Sequence, residues 1–407
     1  MKDPLAEIEV DRRSGSLGLI AFFAVAIVGL FTPMAGWIVF LAGMAAVIFM
    51  HELAHFVTAK KAGMKVTEFF VGFGPRLWSV RKGETEYGLK LVPAGGYCKI
   101  IGMTNLDDID PVDEPRTYRS KKFLPKVIVA GAGSAMHFFL AFLAMFAVLL
   151  VEGNLAEVKA TTTVDRVVEG TAADRAGIEP GDVLVSVDGA PINEFDDLGD
   201  LVEDRAGDVA TVVVMRDGVE ESFTVTIGET TDEQTGQKKG LLGVGPEAYV
   251  PELSVGGALI EAPKQLWEVG SHSVGALAER FSPSGISDYV DAVTGDESKD
   301  DERFISAVGA QDLAEEALED GWVTLMGFFI AINVFVGLFN LLPVLPFDGG
   351  HIAIATYEKI ASMITRRKIV VDVEKLLPLT ATVVAILGLI FLSSLFLDVA
   401  RPIEPPY

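Results

Sequence analysis

The stretch "HELAH", residues 51 to 55, follows directly on the apolar run "GWIVFLAGMAAVIFM". An ionisable side chain at membrane depth costs on the order of 3 kcal/mol by insertion scales, so groups of this kind are kept there for a purpose. On a helix, residues four apart face the same way, so the imidazoles of His51 and His55 converge on one point and Glu52 projects beside them. This is a two-histidine metal clamp with a carboxylate placed for proton transfer.

The rest of the chain fits a membrane setting. Half of its 407 residues are hydrophobic, and the mean hydropathy of +0.39 is too high for a soluble protein of this charge content. The apolar residues gather in five spans, 16–33, 35–58, 127–151, 322–345 and 376–397, each near the roughly 20 residues a bilayer requires. The first span, behind a basic start and before "TPMAG", also fits a signal peptide.

Charge is distributed unevenly. Residues 152–320 hold 38 Asp and Glu against 11 Lys and Arg, whereas the remainder holds 19 acids and 22 bases. The acidity keeps one exposed segment soluble and would repel nucleic acid, which excludes a nucleic-acid partner for it. Lys60, Lys61 and Lys65 follow the second span, and Arg119, Lys121, Lys122 and Lys126 precede the third. The excess of Lys and Arg beside the spans predicts that 59–126 is cytoplasmic. With Arg366, Arg367 and Lys368 on the same side, span parity sends 152–320 outside, and Lys2, Arg12 and Arg13 keep the N-terminus inside. Cys98, the single cysteine, excludes an internal disulfide and reads as a small packing residue with a free thiol.

A catalytic zinc takes three protein ligands and keeps one open position. The candidate third ligand is Asp348 in "NLLPVLPFDGGH", where Pro343 and Pro346 break the helix and Gly349 and Gly350 permit tight backbone. From Gly36 to His51 the second span rises about 22 Å, which places the clamp toward the cytoplasmic face. The fourth span runs from outside to inside and delivers Asp348 to that side.

HELAH in one membrane helix, joined by NxxPxxPxDG in a later one, resembles the site-2 protease family of intramembrane zinc metalloproteases, and the chain is similar to its bacterial single-PDZ members, including actinobacterial enzymes of regulated intramembrane proteolysis. "VGFGPRLWSVRKGETEYGLKLVPAGGYCKIIGM" matches the segment after the active-site helix in that group. The resemblance implies one zinc per chain on His51, His55 and Asp348, with Glu52 as catalytic acid/base and Asn340 holding substrate or the oxyanion. Where many relatives have GPxxN, this chain reads "GAGSAMH", with Ala132, Ser134 and His137 in that neighbourhood. A histidine hydrogen-bonded within the helix bundle is the plainer reading of His137, a role beside the metal the sharper one.

Segment 66–103 alternates like a strand, with a turn at "RKGE" and glycines at 72, 74, 95 and 96, which predicts a β-hairpin partly dipping into the membrane. Such a hairpin either braces the helices or, as the resemblance implies, offers an edge onto which an unwound substrate adds; Gly72, Gly74, Gly95 and Gly96 are the candidate contacts. "VDRVVEGTAADRAGIEPGDVLVSVDGAPI" carries a glycine-punctuated PDZ pattern, with a buried strand over Val183, Leu184, Val185 and Val187 and a turn at "DGAP". The domain reads as a substrate filter or as a spacer, with an unknown ligand. Residues 250–320 hold short apolar stretches such as "VGALAERF" and an acidic loop, "TGDESKDDERF", expected to be mobile. His272 there reads as a solvated side chain.

The expected fold is a polytopic α-helical membrane protein: a four-helix core, an extra N-terminal span, a membrane-associated β-hairpin and one extracytoplasmic α+β PDZ domain. Along the chain this gives a cytoplasmic N-terminus, 1–15; the extra span, 16–33; the HELAH helix, 35–58; a cytoplasmic-side segment with the hairpin, 59–126; a span, 127–151; the PDZ domain, 160–229; an acidic outer segment, 230–320; a span with the NxxPxxPxDG motif, 322–353; a cytoplasmic segment, 354–375; and a last span, 376–397. The expected activity is hydrolysis of peptide bonds in the transmembrane segments of single-span proteins, as a regulator cutting an anti-sigma factor or as a clearance protease for remnant signal peptides. A PDZ scaffold or ion-binding transporter without chemistry is the rival reading, and it does not account for both Glu52 and Asp348.

Overall fold

The computed structural model describes residues 15–32, 34–104, 108–231, 238–296, 298–299 and 303–401. The chain divides into two compact units, one formed by 1–146 and 260–407, the other by 147–259.

The first unit begins with α1, Gly15–Gly29. Of the extra span expected over 16–33, the described residues give a helix of 15 residues, about 22 Å long. Among the described residues four helices are long and apolar enough to cross a membrane: Ala35–Lys61, Phe123–Glu152, Trp322–Asn340 and Val373–Ala400. Helix α2, Ala35–Lys61, buries Val47, His51, Ala54, His55 and Ala59, which form one stripe at helical spacing, so both histidines of HELAH lie on its packed face. Lys60 and Lys61 occupy its last turn, where the helix dipole favours cations.

Strands β1, Val66–Lys82, and β2, Thr85–Ile100, form the expected hairpin, with its turn at Gly83–Glu84 inside "RKGE". It is more folded than a simple hairpin. Residues 66–71 pair on one side with 96–100 (Val66 with Ile100, Phe70 with Tyr97) and on the other with 86–89 (Glu68 with Glu86, Val71 with Leu89). Gly72 makes this possible: its φ is +88°, and a Cβ there would stand 2.7 Å from the Val92 carbonyl oxygen. Helix α3, Phe123–Glu152, follows. A small core of Ala59, Met64, Val66, Ile100, Tyr118 and Val129 joins α2, the hairpin and α3.

In the second unit, β3 (Lys159–Val167), α4 (Ala172–Ala176), β4 (Val183–Val187), β5 (Ala190–Pro191), α5 (Phe195–Val202), β6 (Val209–Arg216), β7 (Val219–Thr226), β8 (Gly228–Thr231), β9 (Lys238–Leu241) and β10 (Val244–Tyr249) follow in sequence. One antiparallel sheet has the order β10–β3–β4–β6–β7, with β5 on β4, and β8 pairs β9. The valine-rich β4 and the turn at Asp188 and Gly189 agree with the sequence pattern. The unit outruns the expected 160–229, because β10 supplies the strand beside β3. Its core includes Val164, Leu184, Val187, Val212, Val214 and Val225.

The chain then forms α6 (Val255–Arg280), α7 (Pro283–Thr294), α8 (Ala307–Glu319), α9 (Trp322–Asn340), α10 (Asp348–Thr365) and α11 (Leu377–Ala400). Helices occupy most of 250–320, where the sequence shows only short apolar stretches and an acidic loop; residues 297 and 300–302 of that loop lie outside the described ones. The Asp398 carboxylate near the end of α11 accepts from Ser306 N at 2.7 Å and Gly309 N at 3.3 Å, which caps α8. Tyr289 of α7 bonds Ser393 Oγ at 2.6 Å, so both helices are tied to α11. Exposed His272 fits the solvated reading. Helix α9 ends at Asn340, earlier than the expected span, because Pro343 and Pro346 cannot continue it. Helix α10 then begins at Asp348, so the first part of the expected cytoplasmic segment 354–375 is helical.

Candidate metal centre

Helix α2 supplies His51, Glu52 and His55, and the first turn of α10 supplies Asp348. A carboxylate in a first turn is stabilised by the helix dipole. Gly349 and Gly350 behind it pack on backbone: a Cβ on Gly349 would lie 2.1 Å from the Leu341 carbonyl oxygen, and one on Gly350 2.6 Å from Leu345 N. No side chain larger than hydrogen fits, so "DGG" is a steric requirement for turning Asp348 inward.

The three groups converge. His55 Nε2 lies 3.1 Å from His51 Nε2, and Asp348 Oδ2 lies 3.2 Å from His55 Nε2 and 3.4 Å from His51 Nε2. His55 Nδ1 donates to the Val129 carbonyl oxygen on α3 at 2.7 Å, which leaves Nε2 of the neutral ring as a lone pair. Asp348 Oδ2 is buried and receives no hydrogen bond. Three electron-rich atoms facing one another at 3.1–3.4 Å call for a cation between them. Zinc bonds of about 2.0–2.1 Å at tetrahedral angles put neighbouring ligand atoms roughly 3.3–3.4 Å apart, and two imidazoles with a carboxylate are a catalytic zinc donor set. The residues fit the metal.

Glu52 is placed by the hairpin. Gly96 packs against it so closely that a Cβ would stand 3.1 Å from Glu52 Cγ and 3.3 Å from Ile48 Cγ2. Burial pushes the Cys98 thiol up, in keeping with an inert packing residue.

Other candidates fall elsewhere. The nearest neighbours of Gly72, Gly74 and Gly95 belong to the hairpin itself: the Val92 carbonyl, the Val92 side chain and the Phe73 ring. Asn340 closes α9, half-buried, and makes no hydrogen bond to the three convergent groups among the described residues. The asparagine buried in the bundle is Asn333, two turns earlier and fully enclosed. Its Nδ2 donates to the Phe329 carbonyl at 2.8 Å, so its Oδ1 is the acceptor for His137 Nδ1 at 3.0 Å. The His137 ring lies 5.0 Å from that of His51. His137 is therefore hydrogen-bonded in the bundle, with its ring beside that of His51.

Gly133 escaped the sequence reading. A Cβ there would lie 2.2 Å from His51 Cε1 and 2.5 Å from His55 Nε2, so α3 presents bare backbone to both imidazoles. The departure "GAGSAMH" was the available signal.

Comparison with known proteins gives the family. Residues 39–387 match the family model "Peptidase family M50". The chain is 34% identical over 403 residues to zinc metalloprotease Rip1 of Mycobacterium tuberculosis, covering 91% of this chain and 98% of that protein. It is 33% identical over 406 residues to zinc metalloprotease Rip1 of Mycolicibacterium smegmatis, with the same coverage. The chain belongs to peptidase family M50. It is a membrane-embedded zinc metalloprotease of the site-2 type.

Proposed function

We propose that the chain hydrolyses peptide bonds within the transmembrane segments of single-span membrane proteins, with His51, His55 and Asp348 holding one zinc and Glu52 acting as acid/base. The convergence of those three ligand atoms, two of them on a helix of membrane-spanning length, carries this reading. Zinc bound there supplies Lewis acidity at the scissile carbonyl and acidifies water. Glu52 takes the proton of the attacking water and passes it to the leaving amine. The close packing of Gly96 against its side chain holds it in one place. Gly133 and the Val129 carbonyl hold the imidazoles.

A helical substrate hides its carbonyls in hydrogen bonds and must unwind locally. The hairpin offers compensation. Among the described residues, 96–100 pair with 66–71 on one side only, and a substrate strand added to the other side passes Gly95 and Gly96 and so reaches Glu52. Gly72 and Gly74 shape the bend, and Asn340 holds the substrate or its oxyanion. Orientation follows the basic residues: hairpin and clamp face the cytoplasm, and the β-sheet domain over residues 159–249 is an extracytoplasmic PDZ domain that filters substrates by size.

The test is Glu52→Gln in the full chain, a near-isosteric change that removes the proton acceptor. Zinc should stay, and cleavage should fall by the roughly 10² to 10⁴ that general acid/base catalysis supplies. Uncut stubs should accumulate in the membrane. Stubs bearing a sigma-factor-binding domain would identify a regulator, and remnant signal peptides would identify a clearance enzyme. Near-normal cleavage by Glu52→Gln would refute the mechanism.

A further inference from the structure

Helix α10 carries Asp348, yet it is not a continuation of α9: residues 341–347 between them form no helix. The placement of α10 must therefore come from lateral contacts. At its start these are Gly349 and Gly350 packed on the preceding turn. One turn later, Ile352 Cδ1 approaches Gly131 of α3, at 3.7 Å from where a Cβ would be. Farther along, Glu358 Oε2 receives Lys126 Nζ of α3 at 2.8 Å, with only 13% and 10% of the two side chains exposed. Glu358 Oε1 also accepts from Val371 N at 3.0 Å, which fixes the chain as it returns. On the other side the Tyr118 hydroxyl donates to the Lys126 carbonyl at 3.3 Å.

The two helices thus run past each other with fixed points at both ends. Glu358 lies about 15 Å along α10 from Asp348, and Lys126 about 10 Å along α3 from Gly133, which touches the imidazoles. Val129, whose carbonyl orients His55, is one turn beyond Lys126. A buried ion pair is weak evidence for stability, because desolvation offsets its attraction; its best-attested use is setting register.

We propose that Lys126 and Glu358 are positioning residues: their ion pair sets the register of α10 on α3 and so holds Asp348 against His51 and His55. The inference rests on Asp348 being a metal ligand, and the experiment separates the two.

Zinc affinity of the full-length protein in detergent is measured by chelator competition, with the visible spectrum of the cobalt-loaded protein as a second readout. Lys126→Met should weaken zinc about 10-fold or more, as loss of a supporting partner does. Glu358→Asp keeps the charge but shortens the arm by one methylene and should weaken zinc too. Lys126→Arg combined with Glu358→Asp should restore affinity and the cobalt spectrum, because the longer guanidinium arm spans the gap. That rescue keeps the test decisive even if Lys126→Met fails to fold. Wild-type affinity and spectrum in Glu358→Asp, or no recovery in the double variant, overturns the register role while leaving the ligand reading intact. Asp348→Ala run alongside should lose zinc; full retention there would remove the ligand and, with it, the register role.

Discussion

A methyl group on Gly133 would lie 2.2 Å from Cε1 of His51. Helix α3 and the histidine face of α2 therefore meet without a side chain between them, and the separation of the two helices is set by an imidazole against bare backbone. Gly133→Ala must displace either the helix or the ring. We expect the purified variant to lose most of its zinc by elemental analysis while its helical circular dichroism persists. Gly131→Ala is the control: its nearest neighbour would be Ile352 Cδ1 at 3.7 Å, an ordinary contact, so zinc should stay. Equal zinc in both variants would contradict the steric account.

The buried pair of His137 and Asn333 makes a second prediction. Asn333→Leu removes the acceptor of His137 Nδ1 and leaves a buried donor unsatisfied, a loss of about 1–3 kcal/mol. The thermal midpoint in detergent should fall accordingly. Replacing both partners by apolar residues should recover part of that loss, because no polar atom is then stranded. A double variant less stable than Asn333→Leu would argue that His137 has a further partner.

Acid should loosen the hairpin. The Arg116 guanidinium and the Lys60 ammonium hold the Glu84 carboxyl at about 2, against an ordinary 4.5. A folded value below the unfolded one means that this contribution is complete above about pH 4.5 and is lost as pH falls through about 2. Thermal midpoints of wild type and Glu84→Gln should therefore differ by a constant amount near neutrality and converge between pH 4.5 and 2. A gap that widens on acidification would reverse the assignment.

The second unit should be removable, but not as 160–229: that cut would leave β10 without β3. Asn154 N bonds the Pro251 carbonyl at 2.9 Å, so the unit's two ends adjoin, and a short Gly-Ser linker can replace 155–250. Zinc should be retained. If the unit filters substrates, cleavage of membrane proteins with intact outer domains should rise; a fall would mean that the unit delivers substrate.

The proposed orientation has a direct check. Single cysteines at 108–120 should react with impermeant reagents only in opened membranes, and cysteines at 296, 298 or 299 should react in intact cells. The opposite pattern would invert the topology.

What was legible in the sequence was what short-range geometry controls. His51 and His55 share one helical turn, so a period of 3.6 residues is enough to make them converge, and no fold is needed to say so. The helices of bilayer length, the break at Pro343 and Pro346 and the turn at "RKGE" likewise depend on neighbours a few residues away. Asp348 was reachable because few other polar groups lie near apolar spans. Tertiary structure decided the rest, because the partners are far apart in the chain. Val129 orients His55 across 74 residues, and Asn333 holds His137 across 196. Strand β10 completes a sheet begun at β3, and Asp398 caps α8 from the far end of the chain. Periodicity is blind to such pairs: each member looks locally like an ordinary loop, glycine or polar residue. Gly133 shows the limit most plainly, since its importance lies in a side chain that is absent, and only the packed neighbours reveal why nothing larger can stand there.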